Sequence, residues 1–314
     1  MGKTEDIVID YLSQPEIIAD LFNGFIFHGE QIILPEMLKE ADGRARLLVE
    51  NNVGQKGKDT FEVIRKERDI VREVSIADKK FRLMLCGVEH QSNIDYSMPL
   101  RLLVYDTLEY LKQAKQIEQE HKRKKDVSGN EFLSMFTKED CLIPTITIIF
   151  YTGKEKWDGP LEFSGLFDDS GYLDVLLPYM VKAPLNLISI YNVKNTERYH
   201  SSLRQIFELL PFTESETELN NYLFNHRKEY SNIDRAAGKL LSLLLDLEWT
   251  VEVRQSIKED SIDMCKAIEE MKRSSKAEGE QGIVRNMLNK KLSPEEVADL
   301  TGVPLETVLK IAAD

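Results

Sequence analysis

Residues 81–92 read FRLMLCGVEHQS, and this stretch decides the fold. At the two-residue period of a strand, Leu83, Leu85, Gly87, Glu89 and Gln91 share one face, and Met84, Cys86, Val88 and His90 share the other. Both faces are apolar as far as Val88, which is the pattern of a central strand covered on both sides. The strand then turns polar, with Glu89 and Gln91 side by side. The ends of buried central strands are where α/β proteins commonly place chemistry.

Working outward, a polar turn at Ala77-Asp78-Lys79-Lys80 separates this strand from an earlier one near Thr60 to Val74. Before that, residues 5–27 have helical spacing, with Gln14-Pro15 predicting a break in the middle. Between them, a stretch to Lys58 punctuated by Gly24, Gly29, Gly43, Gly54 and Gly57 reads as loop. Downstream, a helix is expected from Met98 to Lys124, with Leu100, Leu103, Val104, Leu108 and Leu111 as its core stripe. Ile143 to Tyr151 is a second two-sided apolar strand, opened by Pro144 and closed by Gly153. Helix, strands, helix, strand is an α/β order.

From about Ser201 the pattern is helical: Leu203 to Leu210, Leu219 to Tyr230, Ile233 to Trp249 and Val251 to Arg273. Lys272 to Lys291 is polar, contains Ser274-Ser275 and two glycines, and reads as a hinge or frayed helix. Ser293-Pro294-Glu295-Glu296 is a helix start with a capping Ser, Pro in the first turn and Glu three residues on. Gly302 ends that helix and Pro304 opens another. The expected organisation is an α/β domain over 1–195, a helical region packed on it over 196–273, a polar hinge over 274–291, and a helix-turn-helix-like tail over 292–314.

The 314 residues carry 41 Lys+Arg against 54 Asp+Glu, a formal net charge of −13. With 42% hydrophobic and 30% charged residues, the chain has a globular composition; 16 Gly and 10 Pro exclude collagen-like and disordered classes. No apolar run approaches a membrane helix. The opening MGKTEDIVIDYL lacks a signal stretch, and Asp6 stands where myristoylation wants Ser or Thr. Cys86, Cys141 and Cys265 lie far apart among apolar neighbours, as buried thiols of a reducing compartment do. The expected localisation is cytoplasmic. The acidic total argues against a surface that grips nucleic acid all over, though it leaves room for a local basic patch.

Several chemistries drop out. There is no HExxH, GxSxG or complete GxGxxG. Gly54 to Lys58 fails as a phosphate loop because Asn52 replaces the first Gly and Asp59 the metal-binding Ser or Thr. The five histidines are scattered, so a zinc site has no support. What remains is acidic. Asp69, on or beside the preceding strand, together with Glu89 and Gln91, suits a hard divalent cation with oxygen ligands. Mg²⁺ keeps several waters, so Asp69, Glu89 and the backbone carbonyl of His90 would suffice. The His90 side chain points opposite to Glu89 and reads as packing. By itself the Asp-x19-Glu-x-Gln spacing is equally that of exposed strand-end acids.

Further residues divide between functional and structural readings. Asp20, with Glu16 the competing choice, is either an accessory acid or a solvated helix-face residue. Arg101 and Tyr105 share a helical face; they either steady a phosphate, brace the Glu89 strand end, or form a structural pair. Lys122-Arg123-Lys124-Lys125 is a DNA-backbone contact or a solvated helix end, within a helix tail of six basic and two acidic residues. Trp157 reads as a loop anchor. In the tail, PLETVLKIAAD offers only Lys310 for base readout, which favours packing or oligomerisation.

Val88-Glu89-His90-Gln91-Ser92 followed by Met98-Pro99-Leu100-Arg101-Leu102-Leu103-Val104-Tyr105 resembles the Rpn/YhgA-like recombination-promoting nucleases, also labelled putative transposases, of the PD-(D/E)xK superfamily. The resemblance continues in Arg68-Asp69-Ile70-Val71, in Asp10-Tyr11-Leu12 through Leu21-Phe22, and in Ile143-Pro144-Thr145 through Thr152-Gly153. It covers roughly residues 5–160. It implies a restriction-endonuclease-like αβββαβ core, Mg²⁺-dependent cleavage of double-stranded DNA (with Mn²⁺ a substitute), Asp69 and Glu89 as metal ligands, and a role in recombination, mobile-element movement or defence. Gln91 stands where most of the superfamily has Lys. An amide can orient water or a phosphate oxygen but brings no positive charge. The rival expectation is a binding module that keeps the fold without catalysis. A homodimer would permit a double-strand cut.

Overall fold

The computed structural model describes residues 3–41, 45–51, 60–66, 70–76, 79–87, 94–129, 131–168, 171–245 and 260–313. Pro15 divides the first helical stretch as its spacing predicts. α1 (Lys3–Leu12) stops before it, and α2 (Pro15–Ile26) starts with the proline in its first turn, where the missing N–H costs no helix bond. α2 buries Ile17, Ile18, Leu21 and Phe22. Its buried Asn23 clasps the following loop, accepting from the Ile33 N–H at 2.9 Å and donating to the Ile33 carbonyl at 2.8 Å.

The stretch to Lys58, expected as loop, contains β1 (Leu38–Glu40) and β2 (Ala45–Asn51). The single strand expected over Thr60 to Val74 is two: β3 (Thr60–Lys66), which forms an antiparallel pair with β2, and β4 (Ile70–Ile76). β5 (Lys79–Gly87) follows, then α3 (Met98–Lys124), the one-turn α4 (Glu131–Ser134) and β6 (Thr145–Tyr151). The one-turn α5 (Leu173–Leu176), β7 (Leu187–Ser189) and α6 (Ser202–Leu209) complete a first unit, residues 1–214.

The main sheet has the order β1-β4-β5-β6-β7. β4 runs antiparallel to β1 and β5, with Ile70 opposite Leu85. β5 and β6 are parallel, Gly87 opposite Phe150, and β6 and β7 are parallel, Tyr151 opposite Ser189. A parallel pair needs a crossover, and α3 supplies it between β5 and β6. Ile148, Ile149, Phe150 and Tyr151 are all buried, as a strand covered on both faces requires.

α3 has the expected span but not the expected stripe. Leu100 and Leu111 are exposed, while Met98, Leu102, Tyr105 and Leu108 are buried together with Glu109 and Gln113. The winning face contains polar residues because one of them serves the backbone: Gln113 accepts from the Ile143 N–H at 2.7 Å and donates to the Ile143 carbonyl at 3.2 Å, just ahead of β6. A reading by hydrophobicity sends such residues outward.

The second unit comprises residues 215–314. The helix expected over Leu219 to Tyr230 breaks at His226 into α7 (Glu216–Asn225) and α8 (Arg227–Tyr230). Ile233 begins β8 (Ile233–Asp234) rather than a helix; α9 (Arg235–Leu244) follows, its first N–H groups capped by the Asp234 carboxylate. β9 (Ser261–Ile262) pairs with β8, and residues 246–259 lie outside the described residues. The segment read as a hinge is helical: α10 (Met264–Asn289) runs through both of its glycines. Gly279 and Gly282 cost the helix about 1 kcal/mol each, which the surrounding Lys, Glu, Gln, Ala and Met offset by propensity. Val284 then anchors the helix end in a cluster with Val297, Val303, Val308 and Ile311 from α11 (Pro294–Thr301) and α12 (Leu305–Ala313). The capping box of Ser293 and Glu296 forms as its spacing predicts, and Gly302 takes the left-handed conformation between the two helices.

Candidate functional site

The register brings three chain segments to one end of the main sheet. β4 begins at Ile70 opposite Leu85, β5 is last described at Gly87 opposite Phe150, and β6 ends at Tyr151 opposite Ser189. Asp69, Glu89, His90 and Gln91 lie outside the described residues, as does the glycine-bearing stretch Gly54 to Lys58. Ile94 is the next described residue, and those that follow it are anchored.

Asp95 is the centre of that anchor. Its Oδ1 accepts from the Ser97 N–H at 2.9 Å and the Ser97 hydroxyl at 2.6 Å. Its Oδ2 accepts from Arg101 Nη1 at 2.5 Å, and Arg101 Nη2 donates to the Tyr105 hydroxyl at 3.1 Å. Burial works against the Asp95 charge, but the hydrogen bonds from Ser97 and Arg101 outweigh it and hold the carboxyl below its usual range. Burial likewise opposes the Arg101 charge, and Asp95 and Tyr105 overcome it, so the guanidinium stays protonated. Arg101 and Tyr105 thus meet, as their four-residue spacing predicts, and both Nη groups are engaged. Sequence reasoning passed over Asp95. The available signal was an Asp two residues before a Ser that precedes a helix with Pro in its first turn, a pattern that favours side chain-to-backbone turns.

Beneath this clamp, Met98, Leu102 and Tyr105 of α3 pack with Ile149 and Tyr151 of β6 and with Trp157, and Ile94 joins them. Trp157 is the loop anchor its sequence suggests: Nε1 donates to the Gly159 carbonyl at 3.0 Å, and the ring meets Tyr151 edge-on at 5.2 Å. The Tyr151 hydroxyl and the Ser189 hydroxyl, at neighbouring strand ends, and Arg101 Nε are buried with no hydrogen-bond partner among the described residues.

The other residues singled out by sequence sit apart from this end. Asp20 is buried at 4% exposure, and both its oxygens are spent on the turn before α6. They accept from the His200 N–H at 2.9 and 3.0 Å, the Ser201 N–H at 2.8 Å and the Ser201 hydroxyl at 2.5 Å. That arrangement is not the solvated helix face; the carboxylate braces the turn before α6. In the basic run, Lys122 pairs with Glu118 and Lys124 with Glu120, while Arg123 and Lys125 are exposed. Immediately before the run, both ring nitrogens of His121 are held, Nδ1 by Asp126 at 2.7 Å and Nε2 by Asp140 at 2.9 Å. Hydrogen bonds donated to Asp126 and, less strongly, to Asp140 raise its pKa above the usual histidine value. Cys265 is buried as expected, but Cys141 is exposed. Among the described residues, no group of three or more His, Cys, Asp or Glu side chains is arranged to hold a metal, and no helix is long and apolar enough to cross a membrane.

No curated protein and no solved structure was found to match the chain. A family model described as "Putative transposase, YhgA-like" matches residues 62–213, a span that includes Asp69, Glu89, Gln91 and the Asp95–Arg101–Tyr105 clamp and ends within one residue of the first unit's boundary. Over residues 62–213, just under half of its length, the chain is similar to this YhgA-like family of putative transposases.

Proposed function

We propose that the chain is a Mg²⁺-dependent DNA endonuclease, acting in recombination or mobile-element movement, whose first unit is a restriction-endonuclease-like core. The order α2, β1, β4, β5, α3, β6, with the β2–β3 pair inserted, supports an αβββαβ succession: an antiparallel meander, a helical crossover, then a parallel strand. The observation that carries the reading is the β4/β5 register. Asp69 is the residue before Ile70, Glu89 is the second after Gly87, and Ile70 pairs with Leu85, so both acidic positions continue the chain from one end of one ladder.

Two carboxylates and the His90 carbonyl form an all-oxygen donor set, which suits a hard cation. Mg²⁺ bound there would neutralise charge on a phosphate and lower the pKa of a bound water. Gln91 would orient that water or a phosphate oxygen through its amide. Arg101 is a brace: by donating to Asp95 and Tyr105 it fixes the chain just after the Glu89–Gln91 segment. Arg123 and Lys125 are the members of the basic run left to meet a DNA backbone.

The test is cleavage of supercoiled plasmid by the purified chain in Mg²⁺ or Mn²⁺ against EDTA, beside Asp69→Ala and Glu89→Ala. Metal-dependent nicking or linearisation lost in both variants supports the reading. Cutting no faster than Glu89→Ala, with DNA still bound, overturns it in favour of a binding module on a nuclease-like fold.

A further inference from the structure

Between α3 and β6 the chain makes an excursion that little holds in place. α3 ends where Lys125 takes the left-handed conformation (φ 55°), its N–H donating to the His121 carbonyl at 2.7 Å. Among the described residues from 126 to 140, none is buried. Their hydrogen bonds, other than those to His121, stay inside the excursion: the Met135 N–H donates to the Glu131 carbonyl at 2.8 Å, and the Thr137 N–H to Asp140 Oδ2 at 2.7 Å. α4 is a single turn, too short to hold itself in water, and a segment without buried apolar contacts opens readily. Firm attachment returns at Ile143, where Gln113 engages both backbone groups.

His121 joins the two ends of this excursion, Asp126 at its start through Nδ1 and Asp140 at its close through Nε2. Two carboxylates can both be served only if both ring nitrogens carry a proton, and the imidazolium alone meets that condition. A neutral ring keeps one N–H and turns a lone pair toward the other carboxylate. The surroundings favour the charged ring. Asp126 is held below the usual carboxylate range chiefly by His121, and Asp140 chiefly by the Thr137 N–H with help from His121, so both stay ionised. His121 also lies in the last turn of α3, where the helix end favours a cation. On α3, Lys122 pairs with Glu118 and Lys124 with Glu120, Lys124 acts on Asp126 as well, and Arg123 and Lys125 are exposed. Among the described residues, Asp126 and Asp140 are the charged groups that act on the ring itself.

We propose that His121 is a proton-operated latch: protonated, it pins the excursion 126–140 to the end of α3, and deprotonated, it lets the excursion go. The closed latch sets Asp140 beside the Lys122–Lys125 run, so release also takes that carboxylate away from the run. This goes beyond the nuclease reading and stands or falls without it. A group that gains partners on folding contributes below its unfolded pKa and stops contributing above its folded one, so the latch is shut at low pH and open at high pH. The test is amide hydrogen exchange of the full chain at pH about 5.5 and about 8.5, on either side of the histidine range. Protection is read relative to the intrinsic rate at each pH. In wild type, the Met135 and Thr137 amides are expected to lose protection at least about threefold from the lower to the higher pH, while Ile148 in the core of β6 keeps its own. His121→Gln is as poorly protected at low pH as wild type is at high pH. His121→Arg, charged at both and able to serve two carboxylates, stays protected at both. Wild-type protection that is the same at both pH values overturns the proposal, as does His121→Gln protected like wild type at low pH.

Discussion

Asp20→Ala removes one acceptor group from three donors at once: the N–H groups of His200 and Ser201 and the Ser201 hydroxyl. Hydrogen bonds to a charged acceptor contribute about 1.5–3 kcal/mol each, and they are not additive within one carboxylate. The hydroxyl can turn to water, and it already accepts from the Leu203 N–H as the cap of α6. The two backbone N–H groups at a part-buried turn have no substitute acceptor. The expected loss is about 3 kcal/mol for Asp20→Ala and about 1–2 kcal/mol for Asp20→Asn, which retains one acceptor oxygen. For a unit of this size, the alanine loss corresponds to a fall of roughly 6–12 °C in Tm. Thermal unfolding followed by circular dichroism measures it, with plasmid nicking per folded molecule read below the transition. If both variants unfold within about 0.5 kcal/mol of wild type, or if Asp20→Asn abolishes nicking while leaving stability intact, the structural assignment of Asp20 is wrong.

Gly24 faces the Tyr199 ring across α2, with Cζ 2.9 Å from where a Cβ would sit; Gly24→Ala is expected to cost about 1–3 kcal/mol by overpacking, measured by urea unfolding, and a neutral result would contradict that packing. His121 has a raised folded pKa, so the latch between the α3 end and residues 126–140 is complete below the usual histidine value of 6.5 and loosens as pH climbs through the raised one. An NMR titration of the His121 ring protons should give a midpoint above 6.5 that falls in Asp126→Asn; a wild-type midpoint at or below 6.5 would contradict the latch. Ser293→Ala removes the hydroxyl half of the capping box on α11, the acceptor of the Glu296 N–H, and should destabilise the second unit by about 1 kcal/mol; an unchanged denaturation midpoint for that unit would show that this half of the box is dispensable.

Local chemistry was the legible part of this chain. Pro15, the Ser293–Glu296 box, Gly302 and the span of α3 all follow from residues within a turn of the feature they set. The β2–β3 pair was not legible, because glycine punctuation on either side of ARLLVEN outweighed its short apolar run, and TFEVIRK merges into the next strand when read by composition alone. Lys272 to Lys291, read as a hinge or a frayed helix, is helical as far as Asn289: two glycines lower helix propensity without deciding it, and the apolar cluster around Val284 lies beyond them in sequence. At the site, Arg101 and Tyr105 could be paired from spacing. Asp95 and the role of Asp20 could not: one is a turn contact invisible to periodicity, and the other has its partners 180 positions away. The strand-end acids are legible only as a pattern, since Asp69 and Glu89 lie outside the described residues.

That Asp69 and Glu89 hold one divalent cation between them is the claim on which the functional reading rests. Calorimetric titration of the purified chain with Mn²⁺ tests it without requiring the right DNA. One bound ion per chain, lost in Asp69→Ala and in Glu89→Ala but kept in Asp20→Asn, is the predicted result. Binding that survives both alanine substitutions, or no binding by the wild type, would contradict it.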